Sequence, residues 1–157
     1  MSIQSTTEVT VRREVLVPLP PDRAFALFST RMGEFWPKTH SIGSAPQADV
    51  LIEPRDGGRW YERGTDGSEC EWGRVARWAP PGELVLLWQI NADWAYQADF
   101  ETEVEVSFTG QADGTLVTMR HRHLERYGDR VAAMRESLES AGGWDAILDA
   151  FAALSRE

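Results

Sequence analysis

The sequence has a single cysteine, Cys70, among its 157 residues. One thiol cannot form an intramolecular disulfide, and it also excludes a four-cysteine zinc site. Disulfide-free chains are typical of reducing compartments, so the cysteine content favours a cytoplasmic protein. Glu69 and Glu71 flank Cys70, and neighbouring carboxylates raise the pKa of a thiol. We therefore expect no nucleophilic or redox role for Cys70.

Long apolar runs are also absent from the sequence. No stretch approaches the roughly 18 consecutive apolar residues that a membrane-spanning helix needs. The first 17 residues, MSIQSTTEVTVRREVLV, lack the basic region and continuous apolar segment of a secretory leader. We expect a soluble cytoplasmic protein that has no membrane partner.

Basic residues are too few to balance the acidic ones. Sixteen Lys and Arg stand against 25 Asp and Glu, which gives a formal net charge of −9 and a sequence pI near 4.8. Phosphate backbones and anionic lipids would be repelled on average. This charge balance argues against nucleic acid as a partner.

The familiar motifs of cofactor and metal chemistry are missing as well. The chain contains no GxGxxG, no Walker-type loop and no HExxH, and Gly57 and Gly58 are typical of a turn rather than a phosphate cradle. We expect no cofactor and no metal. At 157 residues the chain fits one domain, residues 1–157. A domain of this size can bury about two thirds of its surface and needs no disulfide or structural metal to stabilise it.

The N-terminal part of the sequence predicts a strand followed by a helix. Valines alternate over residues 8–17, which is strand periodicity. Two prolines then precede a predicted helix over about residues 21–30, with Phe25 and Phe28 on one face. Residues 33–47 have no sustained period, and their Gly and Pro content indicates a loop or a broken helix.

Six further strands follow, separated by turn sequences such as RDGG, TDG and PPG. These turns are hairpin signals, so the strands should pair antiparallel in sequence order. In the fifth of them, alternation buries Phe100, Val104 and Phe108 and leaves the intervening glutamates in solvent. The predicted strands cover residues 48–54, 57–64, 69–79, 83–90, 100–111 and 115–125.

The C-terminal segment 129–155 has helical periodicity, with apolar residues such as Leu148 and Phe151 along one stripe. Gly142 and Gly143 interrupt this stripe and indicate a kink or a close backbone approach. An antiparallel sheet with one apolar face needs a cover, and this helix is the only predicted element long enough to supply it. The fold class is therefore α+β, a seven-stranded antiparallel sheet around a long C-terminal helix.

Residues 57–91 are rich in tryptophan, and charged residues are threaded between the rings. Strict alternation places Trp60 and Glu62 on one face of their strand, with Tyr61 and Arg63 on the other. In the next strand it places Trp72, Arg74 and Trp78 opposite Glu71, Gly73 and Val75. Two interpretations stay open: the tryptophans form a packed core and the glutamates are solvated, or both line a ligand pocket.

Seven motifs follow one another along the sequence: VPLPPDRAFALFS, FWPKTHSIG, IEPRDGGRWYER, EWGRVARWAPPGELVLLW, TEVEVSFT, GTLVTMRHR and GWDAILDAFAAL. Together with the order of the predicted elements, they resemble the START-like helix-grip superfamily (SRPBCC), in the branch of the activator of heat-shock-protein ATPase homologues. The resemblance covers about residues 9–154. It implies a curved seven-stranded sheet that grips the C-terminal helix around an internal cavity. The superfamily includes lipid carriers, polyketide cyclases, hormone receptors and toxin-sequestering proteins, so the fold alone does not assign a function.

The favoured function is binding of a partly apolar or amphipathic small molecule between sheet and helix, without assigned catalytic residues. An enzyme of cyclase, dehydratase or hydrolase type is the alternative, with Glu62 or Glu71 acting with His121 as acid and base. A co-chaperone-like stress protein is a third possibility, and a homodimer stays open. The candidate ligand-binding residues are His40, Trp60, Glu62, Glu71, Trp72, Trp88, Phe108, His121 and Trp144.

His121, His123 and Glu125 share one face if the last strand runs straight. Such a set could bind zinc, but consecutive same-side residues lie about 6.8 Å apart on a strand, which is wide for one ion. His121 should face the interior, either as a hydrogen-bonding group in the cavity wall or as a structural histidine.

His40 lies in the segment KTHSIG, which we expect to close the cavity mouth. A serine-hydrolase pair with Ser41 is disfavoured because adjacent residues point apart. We expect His40 to contact Glu53, Glu62 or Glu71 and brace this loop against the sheet.

Overall fold

The computed structural model describes residues 7–157. Its strands are β1 (Val11–Val17), β2 (Gln47–Ile52), β3 (Arg59–Gly64), β4 (Glu69–Ala79), β5 (Glu83–Trp88), β6 (Thr102–Gln111) and β7 (Gly114–Arg122). Its helices are α1 (Pro21–Thr30), α2 (Met32–Phe35), α3 (Val131–Glu139) and α4 (Trp144–Ser155), and a 3₁₀ segment, Leu124–Arg130, precedes α3.

The seven strands form one antiparallel sheet in the order β1-β7-β6-β5-β4-β3-β2. Strands β2 to β6 each pair with the next strand along the chain, as the hairpin turns predict. Strand β1 lies at one edge of the sheet and pairs with β7, from Val11 opposite His121 to Val17 opposite Thr115. The predicted α+β class and the helix-grip architecture are confirmed.

The inner face of the sheet is apolar where the sequence alternates cleanly. In β6, Thr102, Val104, Val106 and Phe108 are buried, and the residues between them are only partly covered. Two of those partly covered positions carry glutamates, and both pair with arginines of the neighbouring strand, Glu103 with Arg122 and Glu105 with Arg120. One face of the sheet therefore builds the core and the other is solvated.

Strict alternation fails in β4, because two irregularities in register shift its phase. Trp60 pairs with Gly73 while Tyr61 pairs with Glu71, so Trp72 is an extra residue on the β4 side. Such a bulge re-aims the side chains that follow it. The predicted opposition of Trp72 to Val75 is therefore wrong, since both side chains are buried against the core.

A second shift, between Val75 and Arg77, restores the inward direction for Trp78. Its ring packs edge-on against Phe25, with the ring centroids 5.0 Å apart. Phe25 and Phe28 lie on one buried face of α1, as predicted, and both rings contact Phe108 of β6. This end of the molecule is a filled aromatic core.

The C-terminal helical segment is present and breaks at the two glycines. Helix α3 ends at Glu139 and α4 begins at Trp144, so the turn between them contains Gly142 and Gly143. A Cβ on Gly143 would lie against the carbonyl oxygens of Ser137 and Leu138, which is the close backbone approach that the sequence indicates. None of the helices within residues 7–157 has the length and apolar character needed to cross a membrane.

Candidate functional site

A cleft of about 420 Å³ lies between the inner face of β4 and β5, the loop that follows α2, and the α3–α4 turn. We call it the tryptophan cleft. Its lining residues are Trp36, Thr39, His40, Ser41, Ile42, Trp72, Trp88, Ile90, Trp94, Ser137, Leu138, Ser140, Gly142, Gly143, Trp144 and Ile147. Of these, His40 alone has a side chain that titrates, and no Asp, Glu, Lys or Arg of residues 7–157 belongs to the lining.

The floor of the cleft is a layer of indole rings that support one another. Trp36 packs on Trp72 with centroids 4.9 Å apart and meets Trp144 edge-on at 5.7 Å. Trp88 lies 6.1 Å from Trp144, and Trp60 packs behind the layer at 5.5 Å from Trp72. Tilted and edge-to-face pairs are the arrangements that aromatic rings prefer, so the rings of this layer stabilise one another.

Glu62 is buried directly behind one wall of the cleft, where it holds the loop that follows α2. Its carboxylate accepts hydrogen bonds from the backbone N–H groups of Ile42 at 2.7 Å and Gly43 at 3.0 Å. The hydroxyl of Ser41 and the indole N–H of Trp72 donate to it as well, the latter at 3.0 Å. Four donors therefore occupy this carboxylate, and it does not line the cleft.

His40 bridges the two sides of the cleft mouth. Its Nε2 lies within hydrogen-bonding distance of the carbonyl oxygen of Gly142, in the α3–α4 turn. Its own carbonyl accepts bonds from the indole N–H of Trp36 and the side-chain amide of Gln47. The expected contact of His40 with a strand glutamate is wrong, because the neighbouring Ser41 makes it instead.

His121 is fully buried behind Trp88 and Trp144 and does not reach the cleft. The indole N–H of Trp144 donates to its Nδ1 at 3.1 Å, which leaves the proton on Nε2 to be donated to Thr102 Oγ1 at 2.8 Å. Burial lowers the pKa of His121 to about 3. The ring is therefore neutral with both nitrogens satisfied, which agrees with the structural alternative.

The remaining predicted site residues fall on different sides of the molecule. Trp72, Trp88, Trp144 and His40 line the cleft, whereas Trp60 lies one layer deeper. Phe108 belongs to the aromatic core at the other end, against Phe25 and Phe28. Glu71 is opposite Tyr61 in the register and shares its outer face, and its charge adds to the burial that raises the pKa of Tyr96.

Two other sequence predictions concern residues near the sheet. His123 has a left-handed backbone (φ 63°), and its Nδ1 lies 3.1 Å from Glu125 Oε2, while His121 points into the core. The two imidazoles therefore do not share a face. Burial, together with the charges of Glu62 and Glu71, raises the pKa of Cys70, in the direction that the sequence predicts.

Several lining residues have no signal in the strand pattern. Trp36 and Trp94 lie in non-strand segments, and Ser137 and Ser140 come from the end of α3. For Trp36, the available clue in the sequence was that an aromatic residue directly precedes Pro37 in the segment FWPKTH. Ser137 and Ser140 reach the cleft because the chain turns back at the glycines, and Trp94 reaches it from the loop between β5 and β6.

The sequence matches the family described as activator of Hsp90 ATPase homolog 1-like protein over residues 18–156. The chain belongs to this family. The match covers every strand from β2 to β7 and all four helices, so it includes the whole tryptophan cleft. No curated protein sequence matches this member of the family.

Solved structures of similar proteins agree with this family member in fold and length. The synthase Txn09, whose structure is described as an anthrahydroquino-γ-pyrone synthase complexed with SUM, is 33% identical, with 92% of this chain and 96% of that chain covered and a TM-score of 0.65. CalC from Micromonospora echinospora, described as a self-sacrificing resistance protein, is 28% identical over 93% of each chain with a TM-score of 0.69. Protein NE0264 from Nitrosomonas europaea, at 12% identity over 98% of this chain and 97% of that chain and a TM-score of 0.65, shares the fold alone.

Proposed function

We propose that this protein binds a planar, uncharged small molecule, with an apolar body and a polar end, in the tryptophan cleft. The observation that carries the proposal is the lining itself, in which five tryptophans meet a rim of hydroxyl groups without a fixed charge. Clefts of about 300–1,000 Å³ with apolar walls and a few placed polar groups are the usual form of small-molecule sites.

The apolar body of the ligand is expected to lie against the floor. Trp72, Trp88 and Trp144 come from two strands and a helix, and each is held by other rings or by a hydrogen bond. A rigid wall loses little conformational entropy when a ligand binds. A flat molecule gains most from such a wall, because one face can contact several ring edges at once.

The polar end of the ligand is expected at the rim. Thr39, Ser137 and Ser140 are exposed, whereas the tryptophans of the floor are buried. Hydroxyl groups act as donors or acceptors, so they suit phenol, quinone or ketone oxygens equally. They would orient a ligand without selecting a charged one.

The missing charges argue for a neutral ligand. A carboxylate or ammonium group that entered the cleft would lose its hydration, and the lining that residues 7–157 supply contains no Asp, Glu, Lys or Arg to compensate for this loss. The similarity to Txn09 supports the same class, because its description names a fused polycyclic product.

The test is a calorimetric titration with 1,8-dihydroxyanthraquinone, a neutral planar probe, and with anthraquinone-2-carboxylate as its charged counterpart. We expect stoichiometric binding of the neutral probe in the micromolar range, about −8 kcal/mol, and at least roughly tenfold weaker binding of the carboxylate. Binding of both probes with equal affinity would contradict the neutral site.

A matched pair of variants locates the binding. Ser137→Trp places a large ring in the cleft, whereas Glu136→Trp places the same ring on the exposed helix surface next to it. We expect the first variant to abolish binding and the second to leave it unchanged. Equal binding by both variants would place the probe elsewhere.

A ring-forming enzyme is the second candidate, and the 33% identity to Txn09 is the observation that favours it. Glu62 and His121 are outside the lining, so the expected acid–base pair is not assembled in the cleft. His40 is the lining group able to transfer a proton. Turnover of a phenolic polyketone to a pyrone, lost in His40→Gln while probe binding is retained, would support catalysis; binding without turnover supports a binding protein.

A further inference from the structure

Trp94 lies at the tip of the loop that connects β5 to β6, and it differs from the other tryptophans of the cleft. Its side chain is 43% exposed. Within residues 7–157, the other large apolar side chain that is exposed to this degree is Leu16, at 44%, on β1. Leu16 does not line the cleft, whereas Trp94 does.

The tryptophans of the floor are almost fully buried. Trp72 and Trp144 are each 1% exposed, and Trp36 and Trp88 are each 4% exposed, because the rings cover one another. In the described part of the chain, Trp94 is therefore the tryptophan of the lining with a substantial exposed fraction. A planar ligand that rests on the floor leaves its second face toward the mouth, where this ring lies.

The backbone of Trp94 is held in an unfavourable conformation. Its φ is 58°, in the left-handed region that glycine and asparagine adopt readily and that aromatic residues adopt rarely. Strain of this kind persists only where the surroundings over-determine it, and it concentrates at ligand-binding sites.

Hydrogen bonds fix the turn that imposes this conformation. The side-chain oxygen of Asn91 accepts bonds from the backbone N–H groups of Asp93 at 2.9 Å and Ala95 at 3.1 Å. Arg130 then ties the turn to the C-terminal segment through Asp93 at 3.2 Å and the carbonyl of Ala92 at 3.0 Å. A stiff turn thus presents an exposed ring at the mouth of the cleft.

We infer that Trp94 is a ligand-binding residue that stacks on the outer face of a planar aromatic molecule in the tryptophan cleft. This inference rests on the proposed function and adds a second wall to the site. Folding alone does not require an exposed tryptophan on a strained backbone at this position, and the inference gives it a role.

The test compares Trp94→Gly, Trp94→Phe and Leu16→Ala in titrations with 1,8-dihydroxyanthraquinone and in thermal unfolding without the probe. Trp94→Gly should bind about tenfold more weakly, because the loss of one aromatic stacking partner is of that size. Its melting temperature should be equal to or above that of the wild type, because glycine relieves the left-handed strain. Trp94→Phe should retain most of the affinity, and Leu16→Ala should retain all of it.

Loss of affinity without loss of stability is the signature of a binding residue. Wild-type affinity in Trp94→Gly, together with abolished binding in Ser137→Trp, would overturn the inference and leave the proposed function intact. A matching loss of affinity in Leu16→Ala would also overturn it. Failure of the wild-type protein to bind the probe would overturn the inference and the proposed function together.

Discussion

A falling pH should lower the stability of the protein through His121, and the size of the effect follows from the surroundings of the ring. The ring is buried between Trp88, Trp144 and Thr102, and burial lowers its pKa from 6.5 to about 3. In the unfolded chain the imidazole regains its ordinary pKa and binds a proton that the folded protein cannot bind. The stabilising effect is therefore complete above about pH 6.5 and is lost progressively as the pH falls toward about 3.

Between these two pKa values, each pH unit lowers the free energy of unfolding by about 1.4 kcal/mol. From about pH 7.5 to about pH 5 the loss from His121 alone is about 2 kcal/mol, since the first unit lies above the pKa of the unfolded state. Urea unfolding followed by circular dichroism at several pH values measures this slope.

The matched variant is His121→Gln, whose amide can accept from Trp144 and donate to Thr102 but does not titrate. Carboxylates and the other histidines contribute equally to both proteins, so the difference between the two curves isolates His121. We expect the curves to converge by about 2 kcal/mol between about pH 7.5 and about pH 5. Parallel curves would refute the assignment of a buried, neutral imidazole.

Two further predictions concern the frame of the cleft. Gly143→Ala should lower the free energy of unfolding by about 1–3 kcal/mol, because the added Cβ would meet the carbonyl oxygen of Leu138. Gly142→Ala has open space around its Cβ, so it should change this free energy by less than about 0.5 kcal/mol in urea unfolding. Equal costs for the two variants would contradict the close approach. Glu62→Ala should cost about 2–4 kcal/mol and weaken probe binding, since Ser41 and the neighbouring backbone N–H groups lose their acceptor. Glu62→Gln keeps an acceptor oxygen and should retain most of both properties.

The fold can be predicted from the sequence because the signals that specify it lie within short segments of the chain. Antiparallel hairpins are specified by turn residues and by alternation within each strand, and β6 shows this from Thr102 to Phe108. When each strand pairs with its neighbour in the sequence, the order of these strands in the sheet follows directly. The break at Gly142 and Gly143 is likewise visible in the helical stripe, since two glycines interrupt it.

The candidate site is less accessible because side-chain direction in β4 depends on the partner strands. One extra residue at Trp72 and a second shift before Arg77 change which side chains face inward. Gly73 is a local signal for the first irregularity, since a glycine inside a strand is typical of a bulge. The predicted face of Trp72 relative to Val75 was wrong for this reason. The register of a bulge is a property of a pair of strands, so a single strand does not reveal which residue is the extra one.

Residues that reach the cleft from outside the sheet were missed for a related reason. Trp94 depends on a turn fixed by Asn91 and Arg130, and Ser137 depends on the return of the chain at the α3–α4 turn. The contacts of Arg130 with Asp93 and Ala92 join segments that are distant in the sequence. Periodicity describes one element at a time, and it therefore cannot place a loop over a helix.

The interleaving of tryptophan with glutamate has a physical explanation that neither sequence interpretation contained. Glu62 is neither solvated nor a ligand group, because its four hydrogen bonds fasten the loop from Ser41 to Gly43 and orient the Trp72 ring. One carboxylate thus fixes the floor and one side of the mouth together. Rigid rings that are locked in edge-to-face contacts cannot collapse to fill the corner between sheet, loop and broken helix. The cleft persists because the groups around it are held by hydrogen bonds and ring contacts with one another.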